Sequence, residues 1–363
     1  MPGKESISLF MMPDFRTDNP YQQLLADGLR AKGIDVMFPS GYRRVFPVAR
    51  ALRGTDTDVL HLHWPNPYFK GKSAVMRTVY ALKCVVDLLL ACLVVDRLVW
   101  TVHNVESHDA KYPCIEKWLR RRIASIADAL IVHDETTRGL IASIYGVDSC
   151  NIHVVPHGHY RDVYDAPPPP EEAREELGVP VKGRLFLHFG MLKPYKGIVD
   201  LLDVWPAYRS DHPEDHLVIA GSSQNKEYGQ NLRRRAKQTA SVTLRDEFIP
   251  EHDVPTYFGA ADVAVFPFRE ITTSGSVILA LSFGIPVLAP RIGEIGSVVG
   301  NADDLLYEGS SIENLLRALQ RSAKTDLNKL GRATRMVCNN RSWDTIAQAT
   351  AEVYEGKTSQ KAH

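Results

Sequence analysis

Short apolar runs alternate with amphipathic segments along the first half of the chain, which is the pattern of β-α-β units in a parallel sheet. We predict strands at residues 7–11, 36–39, 59–63, 98–102, 129–132 and 152–155. The segment 21–32 has helical periodicity and ends before Gly33, a residue type favoured just after a helix. The apolar stretch 84–95 is too short to span a bilayer. It fits a core helix, or a helix that lies on a membrane surface.

The same pattern restarts at residue 185. It predicts strands at 185–189, 217–220, 242–245, 263–267 and 286–289, with helices at 198–208, 226–239 and 276–283. The predicted fold class is therefore α/β, with two doubly wound, Rossmann-like domains. Sheets of this kind bind ligands beyond the carboxyl ends of their strands, so two of them facing a central cleft would share one site.

Four consecutive prolines at 167–170 separate the two patterns, followed by an acidic stretch at 171–176. Such a run favours extended backbone over a helix interior or a central strand. We predict an N-terminal domain at 1–165, a linker at 166–182 and a C-terminal domain at 183–342. A last amphipathic helix begins at Trp343, and we expect the segment 343–363 to cross back to the N-terminal domain.

Charge and cysteine content exclude several classes of protein. Lysine plus arginine and aspartate plus glutamate both number 43, and this zero net charge argues against a nucleic-acid-binding protein. The five cysteines show no C-x-x-C spacing, so we expect a reducing, cytoplasmic environment and neither a disulfide framework nor a zinc site. The N-terminal residues lack a long apolar run, and we expect no signal peptide.

A loop with two lysines follows the predicted strand 185–189. Gly190 allows a backbone turn, and Lys193 and Lys196 place two ammonium groups close to the start of the next helix. Backbone N–H groups, the helix dipole and lysines together form an anion site, for which a diphosphate is the natural ligand. The alternative is an ordinary loop with solvated lysines.

A second loop of small residues follows the strand 263–267. Small side chains permit close approach of a ligand, and free N–H groups at the start of the next helix would hold phosphate oxygens; these residues are Thr273, Ser274, Gly275 and Ser276. The alternative is a helix cap and nothing more. No P-loop and no G-x-G-x-x-G fingerprint accompanies the loop.

The densest polar cluster follows the strand 98–102. Its side chains are typical of acid–base catalysis and of hydrogen bonding to sugar hydroxyls: His103, Asn104, Glu106 and His108. His61 and His63 lie on one side of the strand 59–63, which Trp64 follows. Zinc is conceivable for such a pair, but a structural role is the commoner one, and we predict no metal.

A series of motifs resembles glycosyltransferase family 4 and its GT-B relatives, and it covers nearly the whole chain in the family's order. The motifs are WTVHN, IVHDETTRGL, VVPHG, HFGMLKPYKG, VIAG, TSGSVILALSFGIPVLAP and GEIGSVV. Within the family they are similar to bacterial enzymes that build exopolysaccharide and glycolipid sugars, some of them mannosyltransferases.

The resemblance implies transfer of a sugar from a nucleoside-diphosphate sugar, GDP- or UDP-linked, with no bound cofactor or metal. It implies that the C-terminal domain binds the donor through Gly190, Lys193, Lys196, Gly221, Thr273, Ser274, Gly275, Ser276 and Glu294. It places His103 against the donor sugar, and we assign catalysis to His103 and Glu106. The N-terminal domain would bind the acceptor through Asp14, Asn19, Tyr21, His63, Trp64, Asn104 and His108.

Two loops depart from the family pattern. Residues 19–21 stand where the family has Gly-Gly in its first loop. Met191 stands where an arginine is usual, so Lys193 would supply that charge.

The paired glutamates of the family's E-x7-E motif are also unmatched. Ile271 and Leu279 occupy those positions, and Glu270 is one residue away. Two alternatives therefore stay open: a nucleotide-sugar-binding protein with weak catalysis, and a nucleotide-sugar epimerase of the same fold. The acceptor would be a glycan, a glycolipid or a small molecule, and a lipid-linked acceptor would bring the enzyme to the inner face of a membrane.

Overall fold

The computed structural model describes residues 6–17, 19–41, 45–105 and 111–356. The chain divides into two compact units. The first contains Met1–Gly158 and Arg341–His363, and the second contains His159–Asn340. The division thus falls at Gly158 and Asn340, whereas we expect domain boundaries at residues 165 and 342.

The first unit is built on a parallel sheet of six strands in the order β2-β1-β3-β4-β5-β6. The strands are β1 Ser8–Met12, β2 Asp35–Met37, β3 Val59–Leu62, β4 Arg97–Thr101, β5 Ala129–Val132 and β6 Ile152–Val154. Its first helices are α1 Tyr21–Ala31, α2 Pro47–Leu52, α3 Ala74–Ala91, α4 Pro113–Ile126 and α5 Glu135–Tyr145. Alternate residues of β1 enter different cores, Leu9 and Met11 on one face and Phe10 and Met12 on the other, because successive side chains of a strand point to opposite faces.

The second unit repeats this architecture with strand order β12-β11-β10-β7-β8-β9. Its strands are β7 Leu185–Phe189, β8 His216–Ala220, β9 Val242–Arg245, β10 Val263–Val265, β11 Val287–Pro290 and β12 Leu306–Tyr307. Its helices are α6 Pro170–Leu177, α7 Ile198–Asp211, α8 Lys226–Gln238, α9 Val254–Ala260, α10 Gly275–Ser282, α11 Ile295–Val299, α12 Ile312–Ser322 and α13 Leu327–Asn339. The predicted α/β class and all eleven predicted strands are confirmed. The two-residue β12 escaped prediction because it is too short to show a pattern.

The proline run differs from its predicted form. Pro170 is the first residue of α6, a position where a missing N–H and a fixed φ favour the helix. The Arg174 side chain ties this helix down by donating to the carbonyl oxygens of Ala260 at 3.0 Å and Val181 at 2.6 Å, and to the Asp262 carboxylate at 2.6 Å. The segment 166–182, which we expect to be a linker, therefore contains a helix anchored in the second unit.

The last helix, α14 Trp343–Tyr354, packs against α1 within the first unit. Gly28 permits this contact, since a Cβ there would lie only 2.9 Å from the Ala347 Cβ. The Tyr354 hydroxyl reaches the His61 Nδ1 at 2.6 Å, so the C-terminal helix covers part of the sheet.

Five histidines are buried at the carboxyl ends of the first unit's strands: His61, His63, His103, His133 and His157. Burial lowers the pKa of His61 and His157 to about 3 and that of His133 to about 4. Burial and the charges of neighbouring histidines hold the pKa of His63 and His103 well below the ordinary value. All five rings are therefore neutral near pH 7.

Acidification is expected to destabilise the first unit. In the unfolded chain these histidines take up protons near pH 6.5, and in the folded unit only at much lower pH. The unfolded state thus binds more protons below pH 6.5, so the free energy of unfolding falls as pH drops. The slope is at most about 1.4 kcal/mol per pH unit for each histidine.

Urea unfolding between about pH 8 and about pH 5.5 measures this slope. His133→Gln should make it shallower, whereas the exposed control His252→Gln should leave it unchanged. An unfolding free energy that stays constant or rises on acidification would contradict the assignment of neutral buried rings.

Candidate active site

In the second unit, three residues from two loops meet beyond the end of β7. The backbone turns at Gly190, whose φ is +110°. A Cβ at this position would lie 2.6 Å from the Ser276 Oγ and 3.1 Å from the Lys196 Nζ. The Lys196 ammonium donates to the Ser276 hydroxyl at 3.5 Å. We call this group the lysine pocket; glycine is required there because any side chain would fill it.

The Lys196 ammonium is buried without a counter-ion. Lys196 is 6% exposed, and no carboxylate of the described residues lies within ion-pair distance of its Nζ. Burial, reinforced by the charge of Lys193, lowers the pKa of Lys196 to about 8. A buried charge is stable only when it is paired, so the pocket is suited to receive an anion.

Close backbone packing shapes the floor of the lysine pocket. A Cβ at Gly221 would lie 2.1 Å from the Gly190 carbonyl oxygen, so only glycine fits after β8. The buried His188 of β7 donates from Nδ1 to the Val265 carbonyl oxygen at 2.9 Å. Burial and the charge of Lys196 lower the pKa of His188 to about 3 and keep this ring neutral. The pocket therefore carries one positive charge at its centre and not two.

In the loop of small residues, one side chain caps α10 and the others are candidate ligand contacts. The Ser274 hydroxyl caps α10 by accepting from the Val277 N–H at 3.3 Å. Gly275 and Ser276 are the first two residues of that helix, so their N–H groups lie at its N-terminus. The Thr273 Oγ1 is buried and has no hydrogen-bond partner in the described part of the chain.

Glu294 lies beside the same loop. It is 1% exposed, and its backbone N–H donates to the Thr272 carbonyl oxygen at 2.9 Å. The preceding Gly293 has φ +54°, and a Cβ there would lie 2.2 Å from the Ile271 carbonyl oxygen. The loop that carries Glu294 is thus packed directly on the loop that opens α10.

The positions that correspond to the family's glutamate pair carry apolar, buried or half-buried side chains. Leu279 is 8% exposed within α10, and Ile271 is half-buried in the loop before it. Glu270 is exposed. Its neighbour Arg269 instead forms a two-point ion pair with Asp200 of α7, at 2.8 and 2.6 Å, which fixes this loop to the start of α7.

In the first unit, three histidines form a hydrogen-bonded row across neighbouring strand ends. The His63 Nδ1 lies 3.2 Å from the His103 Nε2, and the His103 Nδ1 lies 3.3 Å from the His133 Nε2. The His133 Nδ1 lies 2.9 Å from the Val155 carbonyl oxygen. We call this row the histidine chain. It follows β3, β4 and β5, whose carboxyl ends lie side by side.

The Val155 carbonyl group at one end of the histidine chain determines which nitrogen of each ring carries the proton. A carbonyl only accepts, so the neutral His133 ring must carry its proton on Nδ1 and accept at Nε2. His103 then donates from Nδ1 and accepts at Nε2, and His63 donates from Nδ1. The remaining nitrogen, His63 Nε2, is a buried acceptor with no hydrogen-bond partner among the described residues.

Aromatic rings enclose His103. Trp64 stacks on it with ring centroids 4.0 Å apart, and Tyr21 meets it edge-on at 4.9 Å. Phe15 packs edge-on against Trp64 at 5.5 Å, and His61 lies 4.2 Å from His63. The structure thus brings together the predicted His63, Trp64, His103 and Tyr21. It also shows that both ring nitrogens of His103 are engaged by other histidines.

The loop after β1 presents a carboxylate and an amide near these rings. Asp14 accepts from Arg16 at 2.9 and 2.8 Å, and this bonding holds the pKa of the Asp14 carboxyl below its usual value. The Asn19 side chain accepts from the Tyr21 N–H at 2.9 Å. Gln22 closes the loop by accepting from the Phe15 N–H at 2.7 Å. Asp14 is therefore an exposed, ionised group on a braced loop.

Side chains of α4 and α5 anchor the loop after β4. Arg120 of α4 donates to the Asn104 carbonyl oxygen at 3.1 Å, and the Tyr145 hydroxyl donates to the Val105 carbonyl oxygen at 2.7 Å. Asn104 is half-buried. Glu106 and His108, predicted for catalysis and for the acceptor, lie outside the described residues.

His133 and His157 were not predicted as members of the site. Each follows a strand, in the segments IVHD and VVPHG, just as His63 and His103 do. The repeated placement of histidine after successive strands was the signal that could have identified them. Among the described residues, no group of three or more His, Cys, Asp or Glu side chains is arranged to hold a metal ion.

Comparisons with known proteins place each half of the chain in a glycosyltransferase family. Residues 33–163 match the sequence model of Glycosyltransferase Family 4, and residues 183–324 match that of glycosyl transferases group 1. A GDP-mannose:glycolipid 4-beta-D-mannosyltransferase of Xanthomonas campestris is 30% identical over 348 residues, which span 93% of this chain and 88% of the relative. A D-inositol 3-phosphate glycosyltransferase of Acidothermus cellulolyticus is 25% identical over 64% of this chain and 54% of that relative.

Solved structures share the fold at low sequence identity. Anabaena HepE, crystallised with UDP and glucose, superposes with a TM-score of 0.72 at 16% identity and covers 96% of this chain and 99% of its own. Sucrose-phosphate synthase of Thermosynechococcus elongatus superposes with a TM-score of 0.73 at 18% identity, covering 97% and 99%. The near-complete match to the Xanthomonas relative and the shared architecture establish that this chain belongs to the family 4-like glycosyltransferases of the GT-B fold and is a hexosyltransferase.

Proposed function

We propose that this enzyme transfers mannose from GDP-mannose to a lipid-linked glycan acceptor, with the donor on the second unit and the acceptor on the first. The sugar, the nucleotide and the class of acceptor are those that the Xanthomonas relative's name states. A nucleoside-diphosphate donor agrees in addition with the UDP bound to HepE. A lipid-linked acceptor would require work at a membrane, and five cysteines without C-x-x-C spacing favour its cytoplasmic side.

The observation that carries this proposal is the buried Lys196 ammonium, which has no carboxylate partner in the described ranges and lies in a pocket that only glycine leaves open. A diphosphate would supply the missing negative charge and could approach the bare backbone at Gly190. The Ser276 hydroxyl and the N-terminus of α10 add donors on the same side. A neutral sugar alone would leave the ammonium uncompensated.

This arrangement also suits the chemical step. Negative charge grows on the diphosphate as its bond to the sugar breaks, and fixed donors aimed at that charge stabilise the transition state. Lys196, Lys193 and the N–H groups of α10 would do this without a divalent cation. The Thr273 hydroxyl is a further donor available to the nucleotide.

The first unit offers neutral polar groups for sugars. The histidine chain is uncharged, and Trp64 and Tyr21 provide ring surfaces around it. We assign the acceptor hydroxyls to Asp14 and Asn104, which retain solvent exposure on their loops. His103, fixed between two histidines, would contact the donor sugar mainly by orienting it and not by titrating.

One observation favours the binding-only alternative, which is the apolar pair Ile271 and Leu279 in place of the family's glutamates. Incubation with GDP-mannose and a lipid-linked glycan separates the possibilities. Mannosylated lipid identified by mass spectrometry, with release of GDP, supports the proposal. An isomerised nucleotide sugar would indicate an epimerase, and tight binding without turnover would indicate a binding protein; either result overturns the transferase proposal for these substrates.

Lys196→Ala is expected to weaken binding of GDP by about 1.5–3 kcal/mol, the usual loss for a hydrogen bond to a charged group. Because the pKa of Lys196 is about 8, affinity in the native protein should also decline as the pH rises above that value. Isothermal titration calorimetry with GDP and UDP measures both effects. Lys182→Ala, an exposed lysine before β7 in the same unit, is the matched control and should bind normally. Unaltered GDP affinity in Lys196→Ala would remove the pocket from the donor site.

His103→Ala is expected to reduce turnover far more than it reduces affinity for GDP, because the proposed contact is with the sugar and not with the phosphates. Single-turnover rates, GDP affinity and thermal stability should be measured together. The half-buried His153, which lies outside the histidine chain, provides the control His153→Gln. Parallel losses of turnover, GDP affinity and thermal stability in His103→Ala would point to a purely structural role.

A further inference from the structure

Helix α3 carries apolar side chains on two sides. One side lies in the core of the first unit, where Ala81, Cys84, Leu88 and Ala91 are buried. The other side is between 40% and 79% exposed and includes the residues just after the helix: Val75, Met76, Val79, Leu82, Val86, Leu89, Leu90, Leu93 and Val94. Their spacing of three or four residues places them in one band, which we call the α3 stripe. At 1.5 Å per residue the 18-residue helix that carries most of the stripe is about 27 Å long.

The helix cannot rotate to bury the stripe. The Asp87 carboxylate accepts from the Val48 N–H at 3.0 Å and the Ala49 N–H at 2.9 Å, which fixes α3 to α2. On another side Arg77 donates to Glu116 of α4 at 2.6 Å. Single exposed apolar residues are ordinary, but a contiguous exposed band of this size marks an interaction surface.

The exposed charges near the stripe are mostly positive. In residues 70–96 and 111–128 six exposed cations stand against two exposed carboxylates, Asp96 and Asp128; the cations are Lys70, Lys72, Lys111, Lys117, Arg121 and Arg122. Two further carboxylates, Asp87 and Glu116, are buried in the bonds that fix α3. Trp118 of α4 is 36% exposed, and the Arg122 guanidinium lies 5.8 Å from its ring. Partly exposed tryptophan beside cations is typical of a membrane interface.

We propose that the α3 stripe, together with the exposed cations just before α3, just before α4 and on α4, is the surface by which this enzyme lies on an anionic lipid bilayer. The apolar side chains enter the outer part of the acyl layer, and the lysines and arginines meet the lipid phosphates. No helix within the described ranges has the length and hydropathy to cross a bilayer, so the contact is with one face of the membrane. The inference extends the proposed function, since it brings the acceptor-binding unit to a lipid-linked acceptor.

A second copy of the chain is a less suitable occupant. A two-fold symmetric contact through the stripe would place the same patch of both copies face to face. The six exposed cations that precede α3, precede α4 or lie on α4 would then face their own counterparts, with only Asp96 and Asp128 exposed in these stretches to compensate them. Lipid phosphates compensate them directly.

Co-sedimentation of the full-length enzyme with vesicles tests the surface without any substrate. We expect binding to vesicles of phosphatidylcholine mixed equally with phosphatidylglycerol, weaker binding to phosphatidylcholine alone, and partial release at high salt. The triple variant Leu82→Gln, Val86→Gln, Leu89→Gln should partition at least about tenfold more weakly. Its matched control replaces exposed apolar residues of the second unit, Val181→Gln, Ile312→Gln and Met336→Gln, and should bind as the native enzyme does.

Charge reversal separates the electrostatic part. Lys111→Glu with Lys117→Glu and Arg122→Glu should abolish the preference for anionic lipid. The equal reversal at Lys237, Lys324 and Lys329 should preserve that preference. Affinity for GDP, measured on every variant, reports folding and the donor site separately. Loss of vesicle binding with GDP affinity intact supports the surface, whereas a native enzyme that fails to bind GDP counts against the proposed function alone.

Fluorescence quenching by brominated lipid tests the native chain even if the variants fold poorly. Quenching should be strong in the native enzyme and smaller in Trp118→Phe, because Trp118 lies on the proposed contact face. Absence of vesicle binding at low salt overturns the proposal. So does a native dimer that the Leu82, Val86 and Leu89 substitutions convert to a monomer.

Discussion

The central constraint on this enzyme is the burial of a positive charge at Lys196 that no carboxylate of the described residues compensates. Taking an ammonium out of water costs several kcal/mol unless a partner compensates it. The described residues supply the Ser276 hydroxyl at 3.5 Å and no carboxylate. Gly190 must remain a glycine beside this charge, Gly221 must let the β8 loop touch Gly190, and His188 must stay neutral beneath it. Each of these features makes sense if a diphosphate completes the site.

The first unit also buries polar side chains, but it keeps them uncharged. Its five histidines stay neutral, and three of them satisfy one another in a row that ends on the Val155 carbonyl oxygen. The row therefore has a single proton arrangement, which presents polarity without net charge to whatever binds there. Neutral donors and acceptors with aromatic rings suit sugars, as a cation suits phosphate. The two units thus offer different chemistry, which is why we propose a diphosphate donor for the second unit and a sugar acceptor for the first.

The sequence predicted the strands, and it identified Gly190 and Lys196 as candidates for one site, because both inferences depend on local order along the chain. Gly190 and Lys196 lie within seven residues of one another after a strongly apolar strand. The histidine chain was predicted only at His63 and His103, because its hydrogen bonds join residues 30 and 40 positions apart. Strand order decides which of those residues meet, and strand order is not visible in a local pattern. The helix that begins at Pro170 was not predicted for another reason. Proline is favoured at the first position of a helix, although it is disfavoured in the interior.

Helix α3 shows where periodicity cannot decide between core and surface. Its pattern is apolar on both sides, so either side could have been the buried one. The choice rests on Asp87, whose carboxylate is satisfied only when it meets the two N–H groups at the start of α2. Burying an unpaired carboxylate costs more free energy than exposing leucine side chains, because exposing apolar surface costs only about 25 cal/mol for each Å². Asp87 therefore keeps the α3 stripe exposed, and the predominantly positive charge beside it is the reason we propose an anionic lipid surface as its partner.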